Sequence, residues 1–125
     1  MAEQVKVLVV DDDRSLLQVL LTLLEIEGCD VQAADSPFVA MELVRQQKYD
    51  LILADLRMPR MDGLQFLRAA RLFSPDARVV LMTAYPTDET RQAAEEQGVD
   101  LYLYKPFKLD QLKDILTSAK TVHKN

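Results

Sequence analysis

A chain of 125 residues has room for one domain with its own core, and a hydrophobic share of 49% argues against disorder. A formal net charge of −5 excludes binding nucleic acid through a basic face. No apolar stretch reads as a signal peptide or is long enough to span a bilayer, and the single Cys29 excludes an internal disulfide, so a cytoplasmic protein with no membrane contact is expected.

The first apolar run, residues 5–10 (VKVLVV), reads as a buried strand and ends on Asp11, Asp12 and Asp13. Leu16, Leu17, Leu20, Leu23 and Leu24 then recur at helical spacing, Gly28 is a natural stop, and Cys29 reads as a small residue at the turn. Asp13 suits the N-cap of that helix, which leaves Asp11 and Asp12 as candidate metal ligands. Residues 31–33 make a short, weaker strand. Ser36-Pro37 reads as an N-cap followed by proline at the first helical position, and Val39, Ala40, Leu43 and Val44 give the second helix its apolar face. Residues 51–54 (LILA) form the third strand and run into Asp55. Residues 56–63 (LRMPRMDG) are a loop broken by Pro59 and Gly63, and Leu64, Phe66, Leu67 and Ala70 mark the third helix.

After the turn at Ser74-Pro75-Asp76, residues 79–82 (VVLM) form the fourth strand and end on Thr83. Residues 87–97 read as a fourth helix whose apolar face is only Ala93 and Ala94, ended by Gly98. So little burial predicts a helix that docks weakly and moves easily. Residues 101–104 (LYLY) form the fifth strand and end on Lys105 and Pro106. The last helix starts near Leu109, with Leu112, Ile115, Leu116 and Ala119 facing inward. The domain is expected over residues 1–120, with 121–125 a polar tail, frayed helix end or start of a linker, in which His123 is exposed and inert.

This is β-α five times, and right-handed crossovers put helices on both faces of a parallel sheet. Spacing alone leaves the strand order open. Ligands of such sheets bind beyond the carboxyl ends of the strands, so the four punctuation points should converge on one edge. Three carboxylates, Asp11, Asp12 and Asp55, would crowd there; at ~4 Å, like charges repel by about 4 kcal/mol at an effective dielectric near 20. The cluster needs a counter-cation, all-oxygen ligands favour Mg²⁺ or Mn²⁺ over zinc, and Lys105 adds a second positive charge. Singly, each residue has a plainer reading, an Asp as a helix cap or a Thr as a turn residue. Four at once, on four strands in one orientation, point to phosphoryl chemistry. Competing sets are missing: there is no Walker Gly-Lys-Ser/Thr loop, and His123 has no cysteine or serine elbow to serve.

The motifs at residues 8–12 (LVVDD), 55–63 (DLRMPRMDG), 82–84 (MTA) and 105–107 (KPF) carry a resemblance. In order and spacing, over nearly its whole length, the chain resembles the receiver domain of two-component response regulators, either a single-domain receiver of the chemotaxis or sporulation type or the receiver of a larger regulator. The resemblance implies a flavodoxin-like, doubly wound (βα)5 fold with five parallel strands in the order 2-1-3-4-5. It marks Asp55 as the phosphoryl acceptor, Asp12 as a direct Mg²⁺ ligand, Asp11 as one acting largely through water, and the backbone carbonyl of Arg57 as another ligand. Lys105 would pair with the phosphoryl oxygens, Thr83 would hydrogen-bond one of them, Tyr102 matches the aromatic switch position, and the Lys105–Pro106 bond is usually cis. The implied donor is a phosphohistidine on a sensor histidine kinase or His phosphotransfer protein. The implied output is a change in the surface of the fourth helix, fifth strand and fifth helix, read by a downstream protein or domain. Such a receiver is not an enzyme in the ordinary sense, but catalyses its own phosphorylation and dephosphorylation. Alternatives are a receiver fragment of a multidomain transcriptional regulator, a flavodoxin-like scaffold without phosphoryl chemistry, and a haloacid dehalogenase-type phosphatase. The last places a second acid two residues after its nucleophile, where this chain has Arg57.

Overall fold

Continuous apolar runs have no face to give to water, so they must be covered on both sides. In the computed structural model, which describes residues 4–124 and side chains as far as Thr117, this holds for three strands: β1 (Lys6–Val10), β3 (Leu51–Asp55) and β4 (Arg78–Thr83) are buried almost throughout. β2 (Asp30–Ala34) and β5 (Leu101–Tyr104) are less covered, because they are the sheet edges. The sheet is parallel, with order β2-β1-β3-β4-β5. Chain order reverses direction at β1, so the loops after β1 and β3 open onto a shared crevice, the switch point of an open α/β sheet.

The first four helices begin where the sequence supplies an acceptor for their orphan amides. Asp13 Oδ1 accepts from the Leu16 amide at the head of α1 (Arg14–Ile26), and Ser36 Oγ from Val39 at α2 (Pro37–Gln46). Asp62 and Thr87 form reciprocal caps with Gln65 and Thr90 at α3 (Gly63–Phe73) and α4 (Asp88–Gln97). The last helix, α5, is Leu109–Lys124. Leu8, Val10, Ile52, Phe66, Leu67 and Leu81 fill the layer under α2, α3 and α4. Val7, Val9, Leu20, Leu24, Leu53 and Leu112 fill the layer under α1 and α5. At roughly 1.5–3 kcal/mol per buried large side chain, these two layers hold the sheet edge rigid behind the loops.

Four local expectations change. Val39 is exposed, and the buried stripe of α2 is Pro37, Ala40 and Val44, since residue 39 lies off that stripe. Cys29 is a buried core side chain as well as a turn residue. Gly63 is the first residue of α3 rather than the end of a loop. The backbone of α5 runs on to Lys124 through the expected tail, while the side chains of Ala119 and His123, and all of Asn125, lie outside the described residues.

Candidate phosphoryl-acceptor site

The four punctuation points do meet. β1 delivers Asp11, fully buried, and Asp12, exposed; β3 delivers Asp55, 7% exposed; β4 ends in the buried Thr83; the residue after β5 is Lys105. Oxygens of Asp11, Asp12 and Asp55 lie within 4.8 Å of one another. Lys105 Nζ reaches across to them, 2.6 Å from Asp11 Oδ2 and 3.0 Å from Asp55 Oδ1. The other Asp11 oxygen, Oδ1, accepts from the Asp13 amide at 2.9 Å, so Asp11 is fixed on both sides. Three consecutive aspartates thus divide their work: one is buried beside the lysine, one faces the opening, and one caps α1.

This geometry sets the protonation energetics. Burial lifts the Asp55 carboxyl above its ordinary value; Lys105 opposes the rise, and the charges of Asp11 and Asp12 add to it. Burial depresses the Lys105 ammonium, but its hydrogen bonds to Asp11 and Asp55 outweigh that and hold it above the ordinary lysine value. One ammonium therefore serves a pocket of three carboxylates. A hard divalent cation fits what remains: an all-oxygen donor set, one member exposed, with more negative charge than Lys105 offsets.

Thr83 Oγ1 accepts from the Tyr85 amide at 3.0 Å, which ties the hydroxyl to the loop leading into α4. The Arg57 guanidinium lies 5.0 Å over the ring of the exposed Tyr85, so two loops meet at the rim of the site. Tyr102 stands apart on β5. Its ring packs against the layer under α4 and meets Tyr104 edge-on, and its hydroxyl shares a 2.7 Å hydrogen bond with Thr90 of α4. Sequence reasoning did not find Thr90. Its only sequence signal was the Thr87-x-x-Thr90 spacing of a helix cap. The Lys105–Pro106 peptide is cis.

Comparison with known proteins places the chain by family and fold. The family model described as response regulator receiver domain matches residues 7–117. The transcriptional regulatory protein ZraR of Klebsiella oxytoca is 41% identical over 117 residues, 94% of this chain and 26% of that protein. The chain therefore spans about a quarter of the length of that curated relative. A receiver domain protein (CheY-like) from Methanospirillum hungatei JF-1 superposes with a TM-score of 0.91 at 27% identity, covering 98% of both chains. A Burkholderia pseudomallei response regulator, solved with a phosphorylated aspartic acid, calcium ion and citrate, gives 0.85 at 30% identity, covering 97% of this chain and 72% of that one.

Proposed function

The chain belongs to the response regulator receiver domain family, and from that premise we propose that Asp55 takes a phosphoryl group from a phosphohistidine of a sensor histidine kinase or His phosphotransfer protein. The observation that carries this reading is the placement of Asp55 3.0 Å from Lys105 Nζ and beside Asp11 and Asp12. In the transfer, an Asp55 oxygen attacks phosphorus in line; the new P–O bond forms as the P–N bond breaks, and its electron pair leaves with the imidazole. Lys105 is positioned to hold charge that gathers on the phosphoryl oxygens, so the residues contribute mainly positioning and electrostatics. Thr83 offers a hydroxyl proton to one of those oxygens.

Asp11, Asp12, Asp55 and the carbonyl of Arg57 would hold Mg²⁺, with Mn²⁺ as a substitute. When bound, the metal supplies charge neutralisation and a fixed orientation for the phosphoryl oxygens. The same residues would serve the reverse reaction, in which water takes the phosphoryl group from Asp55.

The test is exposure to acetyl phosphate with Mg²⁺, read by intact mass. One added phosphoryl group is expected on wild type and none on Asp55→Asn; undiminished labelling of the variant would reject Asp55. A scaffold without phosphoryl chemistry would show no labelling at all. That the chain spans 26% of ZraR supports a second reading, in which this receiver serves a longer transcriptional regulator. The reading frame that encodes the chain decides between that and a stand-alone receiver. Among the described residues, no helix is long and apolar enough to cross a membrane.

A further inference from the structure

At the head of a parallel ladder, an amide can point to a neighbour whose strand has not yet begun. The heads of β3 and β5 meet this need in the same way. One position ahead of the Val7–Leu51 pair, Lys6 of β1 faces Asp50, and the Lys6 carbonyl accepts from the Asp50 amide at 2.8 Å. A regular ladder would send the Lys6 amide to the carbonyl of residue 48, but there the chain has turned aside: the Tyr49 amide donates to Ser74 Oγ at 3.0 Å. The Asp50 carboxylate takes that rung, with Oδ2 accepting from the Lys6 amide at 2.8 Å. At β5, one position ahead of the Val80–Leu101 pair, the Val79 carbonyl accepts from the Asp100 amide at 3.0 Å. The carbonyl two residues earlier is that of Gly98, which stands in the left-handed region with φ at 78° and accepts from Arg71 at 2.7 Å. Asp100 Oδ2 accepts from the Val79 amide at 2.8 Å in its place.

The same strands carry the chemistry at their other ends. Asp55 lies five residues after Asp50 and faces Asp11, which lies five after Lys6; Lys105 lies five residues after Asp100. We propose that Asp50 and Asp100 are positioning residues for the acceptor site: each carboxylate supplies the missing first rung of its ladder and so fixes how far its strand reaches along the sheet. The Asp50 carbonyl also accepts from the Arg78 amide at 3.0 Å, so one residue sets β3 against both β1 and β4. From these heads the two strands run roughly 16 Å, at 3.3 Å per residue, to the point where Lys105 Nζ stands 3.0 Å from Asp55 Oδ1. An extended chain has little slack, so a shift at the head is passed along the strand to that pair. This deepens the receiver reading and rests on it for the reaction; the positioning itself belongs to the unphosphorylated protein and is tested there.

The experiment is amide NMR on the whole chain without phosphodonor, followed by labelling with acetyl phosphate and Mg²⁺, for wild type and for Asp50 and Asp100 each changed to Ala, Asn and Glu. In Asp50→Ala the Lys6 amide, and in Asp100→Ala the Val79 amide, should exchange about tenfold faster, the effect of losing one hydrogen bond to a charged group. The resonances of Asp55 and Lys105 should move in both, and labelling should slow about tenfold, short of the 10²-fold that a 1 Å misplacement can cost. The Asn variants keep the acceptor and drop the charge, so they should restore the resonances and most of the rate. Asn variants that behave like Ala assign the effect to charge, at Asp100 to its pairing with Arg71 and Arg78, and overturn the rung. The Glu variants push the carboxylate out by one methylene and should move the same resonances, which keeps the test open where an Ala variant does not fold; folded Glu variants with wild-type resonances overturn the proposal. Faster exchange at Lys6 and Val79 with Asp55, Lys105 and labelling unchanged confines the carboxylates to local stapling and also overturns it. Val44→Ala, a core change on α2, controls for lost stability: an equal loss of rate there overturns positioning. Labelling of wild type tests the acceptor, so failure of that reading is seen separately.

Discussion

Asp55 is held in a charged state that its surroundings disfavour, and this has a measurable sign. With its carboxyl raised by burial and by Asp11 and Asp12, the metal-free native state binds a proton more readily than the unfolded chain does. Stability from this group therefore falls as pH rises from the ordinary aspartate value through the raised one, and the cost is complete above it. Asp55→Asn removes that charge while Asp11 still pairs with Lys105. In EDTA at pH 7 the variant should be more stable by about 0.5–2 kcal/mol, the usual range for a stabilising substitution, and the gain should vanish on acidification; urea titrations at two pH values check both. Lys105 has the opposite kind of window. Its contribution is complete below the ordinary lysine value and lost as pH rises through its raised one. At the rim, the stack of Arg57 on Tyr85 predicts a long-lived phosphoryl group, because hydrolysis needs water in line with phosphorus and neither side chain offers a carboxylate or amide to position it. Decay of the labelled protein should quicken in Arg57→Asn and Tyr85→Ala. If neither variant decays faster, the stack shields nothing. The acceptor, the lysine and the carboxylates were legible in the sequence because each ends its own apolar run. The stack was not, since it joins residues on two separate loops.

At the scale of elements, the caps Asp13, Ser36-Pro37 and Gly98 were legible because capping is local chemistry. What was not legible is why α3 starts with glycine. A Cβ at Gly63 would lie 2.3 Å from the Asp55 carbonyl oxygen and 2.7 Å from Leu81 Cδ1, so this glycine lets α3 close directly against the end of the acceptor strand. Gly63→Ala should cost about 1–3 kcal/mol by overpacking and displace Asp55, lowering labelling by acetyl phosphate even where the variant stays folded; unchanged stability and labelling would show that the strand yields freely. The sparse apolar face of α4 correctly indicated weak burial. Its polar fastening by Arg71, Gln97, Thr90 and Arg91 was not legible, because polar side chains carry no periodic signal. Adding beryllofluoride, a phosphoryl mimic, with Mg²⁺ should alter hydrogen exchange over residues 84–104, and protection changes confined to the acceptor pocket would remove α4 and β5 from the output.

Across the whole molecule, the alternation of strands and helices was readable from hydropathy, but the strand order was not, and came only with the family resemblance. Pairing is long-range: β1 lies between β2 and β3, and nothing in the period of its residues says which neighbours it takes. That order brings Asp11 and Asp55 together, and with them a repulsion the apo fold must carry. A divalent cation binding this pocket acts on the folding equilibrium of the entire domain, because the unfolded chain has no preformed site. Mg²⁺ at a hundred times its dissociation constant should therefore add about 2.7 kcal/mol to unfolding stability, seen as a shift of the urea midpoint against an EDTA control. Asp12 is the informative position, being exposed, so its removal deletes a ligand and a charge without opening a cavity. Asp12→Ala should weaken Mg²⁺ binding at least tenfold, about 1.4 kcal/mol, and move the stabilisation to correspondingly higher metal concentration. A variant stabilised by the same concentrations as wild type would mean that the cation sits elsewhere or uses Asp11 and Asp55 alone.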